Sequence, residues 1–298
     1  MWLSLNEKNW KRNSKQRWRC WKCAYVVESK KWRKKQIIDG DTIARDYMLF
    51  NDTYRCLSYR NNVSVRTIQR RLDEVVIEQK YIQPKEVIII MDTTYFGRKF
   101  GYMVFRDYLG EQNILRYRVS RETNTKYKEW ISYLQKLWWT VIWIICDGKL
   151  WLLTWFWNIP VQMCQFHQKQ IITRYLTRKP KLAPSIELKD VVQSLWNIPE
   201  STMRDLLQDR YRRHKKWLWE RNIMWWYIHT RTRKAYKSMI RNLPYLYTYE
   251  RHKELHLPKT TNELEWWVFS WLKQKLWNHR WLTESRKYKR IEYYLSKS

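Results

Sequence analysis

At 298 residues the chain can bury a sizeable core, either as one large domain or as a catalytic domain with small appendages. Its 59 Lys and Arg against 28 Asp and Glu leave a formal charge of +31, which favours a polyanionic partner, nucleic acid first. No apolar run reaches transmembrane length and the N-terminus is charged within eight residues, which argues against a membrane span or signal peptide and for a cytoplasmic protein.

Residues 1–36 form a basic head, with 12 Lys and Arg against Glu7 and Glu28 and with Cys20-Trp-Lys-Cys23 near its middle. A solvated arm and a truncated zinc ribbon lying on DNA both fit, since one Cys-x-x-Cys pair supplies half of a tetrahedral Zn²⁺ site. The remaining cysteines, Cys56, Cys146 and Cys164, make an odd, scattered set of five, so reduced thiols are expected.

From about residue 40 to 83 apolar residues recur at helical spacing. In Val63-Ser-Val-Arg-Thr-Ile-Gln-Arg-Arg-Leu72, Ser64 is an N-cap and Ile68 and Leu72 share a face. Residues 37–83 therefore read as a helix-turn-helix that offers Arg66, Gln69, Arg70 and Arg71 to DNA; an amphipathic helix with a solvated basic face is the plainer alternative.

A boundary falls near Pro84, where the texture changes to Glu86-Val-Ile-Ile-Ile-Met-Asp92, an apolar run that reads as a strand buried on both faces. Tyr102–Phe105 and Ile114–Val119 are the next strand candidates, with a turn at Gly110-Glu-Gln-Asn113, and Tyr127, Trp130, Ile131, Leu134 and Leu137 predict a helix over 125–138. A fourth strand, Val141–Asp147, again ends in a carboxylate, and a fifth, Val161–His167, follows one short crossover later. This order predicts an α/β domain over 84–298, a mixed sheet of ribonuclease-H-like type with a basic helical insertion at about 168–259. A last helix starts after Thr261 or Asn262, with Glu263 and Glu265 in its first turn.

Asp is common where strands stop, so neither Asp92 nor Asp147 alone says much. If their strands are neighbours, both carboxylates share one sheet edge within reach of a helix-borne Glu, and three converging carboxylates need divalent cations. Met91-Asp92-Thr-Thr-Tyr-Phe-Gly97, Cys146-Asp147-Gly-Lys149, Ile159-Pro-Val-Gln-Met-Cys-Gln-Phe-His167 and Thr260-Thr-Asn-Glu-Leu-Glu265 together resemble the Mutator-like DDE transposases of bacterial insertion sequences, from about residue 12 onward. The resemblance implies Asp92, Asp147 and Glu265 as catalytic metal ligands, two Mg²⁺ ions for which Mn²⁺ can substitute, and cleavage and strand transfer at the element's terminal inverted repeats. It implies a homo-oligomer on DNA as well. It also picks out Cys164 and His167, for which a structural core role and a role ordering the active site stay open and no metal is assigned. Glu263 competes with Glu265 but, two residues earlier on a helix, points elsewhere. A non-catalytic or decayed DNA-binding protein and a structure-specific nuclease on the same fold are the alternatives.

Twenty-two Trp and 5 Gly invert ordinary usage, which gives about 21 Gly in this length. Trp151, Trp266 and Trp281 stand where the resembled pattern has glycine, Trp21 is a further candidate, and Trp155 and Trp157 crowd the same stretch as Trp151. The opal codon, read as glycine in some bacterial codes and as tryptophan in others, accounts for such a relabelling. The expectation is that several indoles are exposed or sit at turns that prefer φ > 0, while Trp18 and Trp130 are genuine.

Overall fold

A computed structural model describes residues 6–12, 15–20, 26–28, 39–78, 81–156, 158–279 and 281–298. In the basic head, β1 (Asn6–Arg12), β2 (Lys15–Cys20) and β3 (Val26–Glu28) form an antiparallel sheet. Cys20 ends β2; Cys23, its expected zinc partner, lies outside the described residues, as do Trp21 and Trp157.

Three capped helices follow. In α1 (Gly40–Met48), α2 (Tyr54–Arg60) and α3 (Val65–Glu74) the side chains of Asp39, Thr53 and Ser64 accept first-turn N–H groups that would otherwise be orphaned. The turn between α2 and α3 passes through Asn62 at φ 49°, a left-handed position that Asn tolerates. Ile43, Tyr47, Leu57, Ile68 and Leu72 make the small core of this trio.

The central sheet has five strands, β4 (Glu86–Phe96), β5 (Phe100–Asp107), β6 (Gln112–Val119), β7 (Thr140–Cys146) and β8 (Val161–Met163), in the order β6-β5-β4-β7-β8. β4, β5 and β6 are antiparallel hairpin neighbours, whereas β7 and β8 run parallel to β4. The parallel crossovers carry α4 (Asn124–Lys136) and α5 (Leu150–Trp155).

The apolar run of β4 is divided between two cores by the two-residue strand period. Val87, Ile89 and Met91 pack with α4, α5 and the later helices, while Ile88 and Ile90 face the C-terminal helices. Covering on both faces is why no polar residue interrupts the run.

β8 departs from the sequence expectation. It stops at Met163, and Cys164 and His167 lie at the start of a helix, not on a core strand. β7 ends at Cys146, opposite Met163, so no partner backbone remains beyond it. The chain turns into α6 (Gln165–Leu176), and Gln168 N–H donates to the Cys164 carbonyl.

The basic stretch that follows is helical: α7 (Ala183–Gln193), α8 (Glu200–Arg213), α9 (Lys215–Leu218), α10 (Thr230–Leu246) and α11 (Thr248–Arg251). The last helical run begins with a wide π-helical segment, Glu263–Ser270, continues as α12 (Trp271–Trp277) and ends with α13 (Glu284–Lys297). No helix among the described residues is long and apolar enough to cross a membrane.

α13 belongs to two cores. Ile291 and Leu295 pack under the sheet, whereas Tyr293 joins the core of α1–α3. Arg286 forks onto both carboxylate oxygens of Asp73 at 2.9 and 2.6 Å, and the buried Arg290 reaches Asn51 Oδ1 at 2.7 Å.

Candidate active site

Asp92 and Asp147 are brought together by strand register. Ile90 of β4 pairs with Ile145 of β7, so two residues further along both strands the aspartates are neighbours. Parity then fixes the direction of Asp92. Ile88 and Ile90 on β4, like Trp143 and Ile145 on β7, face the core that includes Leu264 and Val268 of the π-helical segment. Asp92 therefore points to the side from which Glu265 approaches, while Asp147, one residue past the end of β7, has Lys149, Glu122 and His167 as its charged neighbours.

Backbone hydrogen bonds hold the third segment in place. Cys164 N–H donates to the Cys146 carbonyl at 2.9 Å, and Gln165 N–H donates to the Lys259 carbonyl at 3.0 Å. The loop before Glu265 is thus tied to the residue that precedes Asp147. Glu263 is not part of the cluster: its carboxylate pairs with the Arg106 guanidinium at 2.6 Å.

The electrostatics report burial first and neighbouring charge second. Burial pushes the Asp92 carboxyl up to about 7; His167 opposes that shift, and Glu265 and Asp147 add to it. Burial also raises Asp147, with Lys149 opposing and Glu122 assisting. One oxygen of Asp147, Oδ1, is buried without a hydrogen-bond partner. Burial alone would lower His167, but Cys164, Asp92 and Glu265 outweigh it and hold the ring's pKa up at about 10. His167 Nδ1 lies 3.4 Å from Glu265 Oε1, outside hydrogen-bond geometry, so the attraction is through space.

Glu122 carried no signal in the sequence, and Thr261 was marked only as a helix cap and within Thr260-Thr-Asn-Glu-Leu-Glu265. Glu122, in the loop before α4, accepts from the Tyr127 hydroxyl at 2.7 Å and pairs with Lys149, and that hydroxyl also meets Thr93 Oγ1 at 2.7 Å beside Asp92. Thr261 touches both Cys164 and Glu265. The two belong to a loop and a cap, where neither period nor apolar run marks a residue. Cys164, His167 and Glu265 offer ligand atoms within 4.8 Å of one another.

A cleft opens on Asp147 and His167, with Lys149, Arg174 and Arg241 on its walls. The expected DNA-reading residues lie on α3. Arg66 and Arg70 are exposed, Gln69 and Arg71 half-buried, and Arg66, Gln69 and Arg70 line a shallow cleft against Arg286. Arg71 is partly occupied, with Nη1 3.0 Å from Glu74 Oε2, while Arg70 lies 3.9 Å from the same carboxylate.

No family model and no curated protein sequence matches the chain. Among solved structures, the chain is similar to one titled "Drosophila P element transposase strand transfer complex", at 12% identity and a TM-score of 0.44, over 89% of this chain and 93% of that one. Likeness at that level bears on neither mechanism nor residue roles.

Proposed function

We infer that the chain is a DDE-type transposase of a bacterial insertion sequence, with a ribonuclease-H-like core over residues 84–298 and a helical insertion at about 168–259. The observation that carries this reading is the buried carboxyl of Asp92, raised to about 7 by burial first, with Glu265 and Asp147 near enough to add to the shift. Carboxylates gathered out of water stay ionised only beside compensating cations. The unpartnered Oδ1 of Asp147 and the all-oxygen donor set fit hard divalent ions such as Mg²⁺ or Mn²⁺. When bound, two such ions activate a water or 3′-hydroxyl and stabilise the oxygen that leaves in an in-line phosphodiester displacement.

The chain's own groups supply the rest. Lys149, Arg174 and Arg241 on the cleft walls suit the phosphates of a strand entering beside Asp147. Residues 37–83 act as the helix-turn-helix, where Arg66 and Gln69 reach base edges and Arg70 and Arg71 steady the backbone. The basic head over 1–36 adds affinity that is independent of sequence. A homo-oligomer on DNA, bridging two element ends, completes the proposal.

The test is strand transfer. With Mg²⁺ and duplexes carrying the DNA that flanks the reading frame, the chain is expected to nick an end and join its 3′-hydroxyl to a second duplex. Asp92→Asn, Asp147→Asn and Glu265→Gln should each abolish both steps while duplex affinity stays within a few-fold, because phosphate contacts come from Lys and Arg. Cutting without joining would identify a nuclease, and binding without either a DNA-binding protein. Undiminished cleavage by Asp92→Asn would remove the metal reading.

A further inference from the structure

The transposase reading rests on a glutamate delivered by a helix, and what holds that side chain is Thr261. This residue is fully buried, at 0% exposure. Its Oγ1 lies 2.6 Å from Glu265 Oε1 and 3.3 Å from Cys164 Sγ, and its backbone N–H donates to the same sulfur at 3.3 Å.

Proton counting assigns the directions. A hydroxyl has one proton and two lone pairs, while an ionised carboxylate only accepts. The short contact takes the proton, so Thr261 donates to Glu265 in a charge-assisted bond. Thr261 Oγ1 is then left as an acceptor facing the sulfur, and the Cys164 thiol donates to it. Cys164 is itself fixed by its N–H to the Cys146 carbonyl, one residue before Asp147.

We propose that Thr261 is a positioning residue for Glu265, the middle of a buried relay from the Cys164 thiol through the Thr261 hydroxyl to the Glu265 carboxylate. The relay occupies Oε1 and selects one rotamer, leaving Oε2 as the oxygen available to the carboxylate site. Partners that orient a metal ligand in this way set its affinity as well as its geometry. The proposal depends on the carboxylate site of the preceding subsection. It differs from a thiolate metal site built from Cys164, His167 and Glu265, because here the sulfur is engaged by the backbone N–H and the hydroxyl of Thr261.

The experiment is titration of the full chain with Mn²⁺ alone, followed by calorimetry, with thermal midpoints recorded for every variant. Thr261→Val keeps the shape without the hydroxyl and is expected to weaken Mn²⁺ binding about 10- to 100-fold, with Thr261→Ser restoring it. Glu265→Gln and Asp92→Asn should weaken it at least as much. Wild-type affinity in a folded Thr261→Val, with loss in Glu265→Gln, would overturn the relay and leave the carboxylate site standing. Wild-type affinity in all of them would overturn both. Should Thr261→Val fail to fold, Cys164→Ala tests the other end of the relay: a several-fold loss is expected, and no loss would overturn it. Stoichiometric Zn²⁺ retained by the wild type and lost in Cys164→Ala would replace the relay with a metal site.

Discussion

Tryptophan at a left-handed backbone position is a steric contradiction, and the described residues contain two. Trp138 sits at φ 66° and Trp225 at φ 62°, and both indoles are exposed. A non-glycine side chain there costs about 1–2 kcal/mol, and exposed indoles recover little of it by burial. Trp151, Trp266 and Trp281 are exposed as well, the last at 98%. Other tryptophans are core residues: Trp143 and Trp139 are buried, and Trp130 packs on Tyr117. Trp138→Gly and Trp225→Gly are each expected to stabilise the fold by about 1 kcal/mol, read as a higher denaturant midpoint at unchanged slope. The coding DNA gives a second check. UGA is expected at Trp138, Trp151, Trp225, Trp266 and Trp281, and UGG throughout would make the aromatic surplus genuine.

At the scale of elements, the join between α1–α3 and α13 contains a pH-sensitive contact. His279, edge-on to Tyr47 at 5.0 Å, is held down to about 4 from its ordinary 6.5, first by burial and then by the nearby Arg290 cation, with a backbone bond to Asn51 opposing. Between those values the unfolded chain binds a proton that the folded chain refuses. Stability is therefore fully present above pH 6.5 and falls as pH drops towards 4. A pH series of thermal midpoints should show the decline, and His279→Leu should flatten it; an unchanged slope would assign the loss to other groups. The neighbouring Asp73–Arg286 pair is partly solvated, so Arg286→Ala should cost only about 0.2–1 kcal/mol.

How much of this was legible beforehand depends on which force set each element. β4 and β7 could be read because burial on both faces writes an unbroken apolar run, and Ser64 could be read as a cap because capping is local. The β8-to-α6 switch could not. Val161 to His167 contains no breaker, and the point where pairing stops is decided by the length of β7. Glu122 was hidden for a related reason, since a lone Glu in a loop acquires meaning only from what folds against it, and Thr261, legible as a cap, gave no sign of its contact with Glu265. The assignment of Glu265 over Glu263 rested on resemblance, and the contact of Glu263 with Arg106 supplies a physical separation of the two.

Over the whole molecule, a charge of +31 predicts DNA affinity that falls linearly with salt on logarithmic axes, with slope about −0.9 per phosphate neutralised. Arg66→Ala and Gln69→Ala should reduce discrimination between element ends and random duplex, whereas Arg70→Ala should make the slope shallower by about one phosphate. If discrimination is unchanged in both, α3 does not read sequence.

The double membership of α13 gives assembly an order in time. Asp73 and Arg286 are separated by 213 residues, and Asn51 and Arg290 by 239. At about 5–20 residues per second, roughly 10–40 s pass between synthesis of α3 and arrival of the helix that seats it. During that interval the trio can form its local core but presents the apolar patch meant for Tyr293 to solvent. A nascent chain therefore carries α3 for that interval before α13 clamps it at Asp73. Docking of α13 completes both cores in one late step, since Ile291 and Leu295 fill the one under the sheet as Tyr293 fills that of the trio.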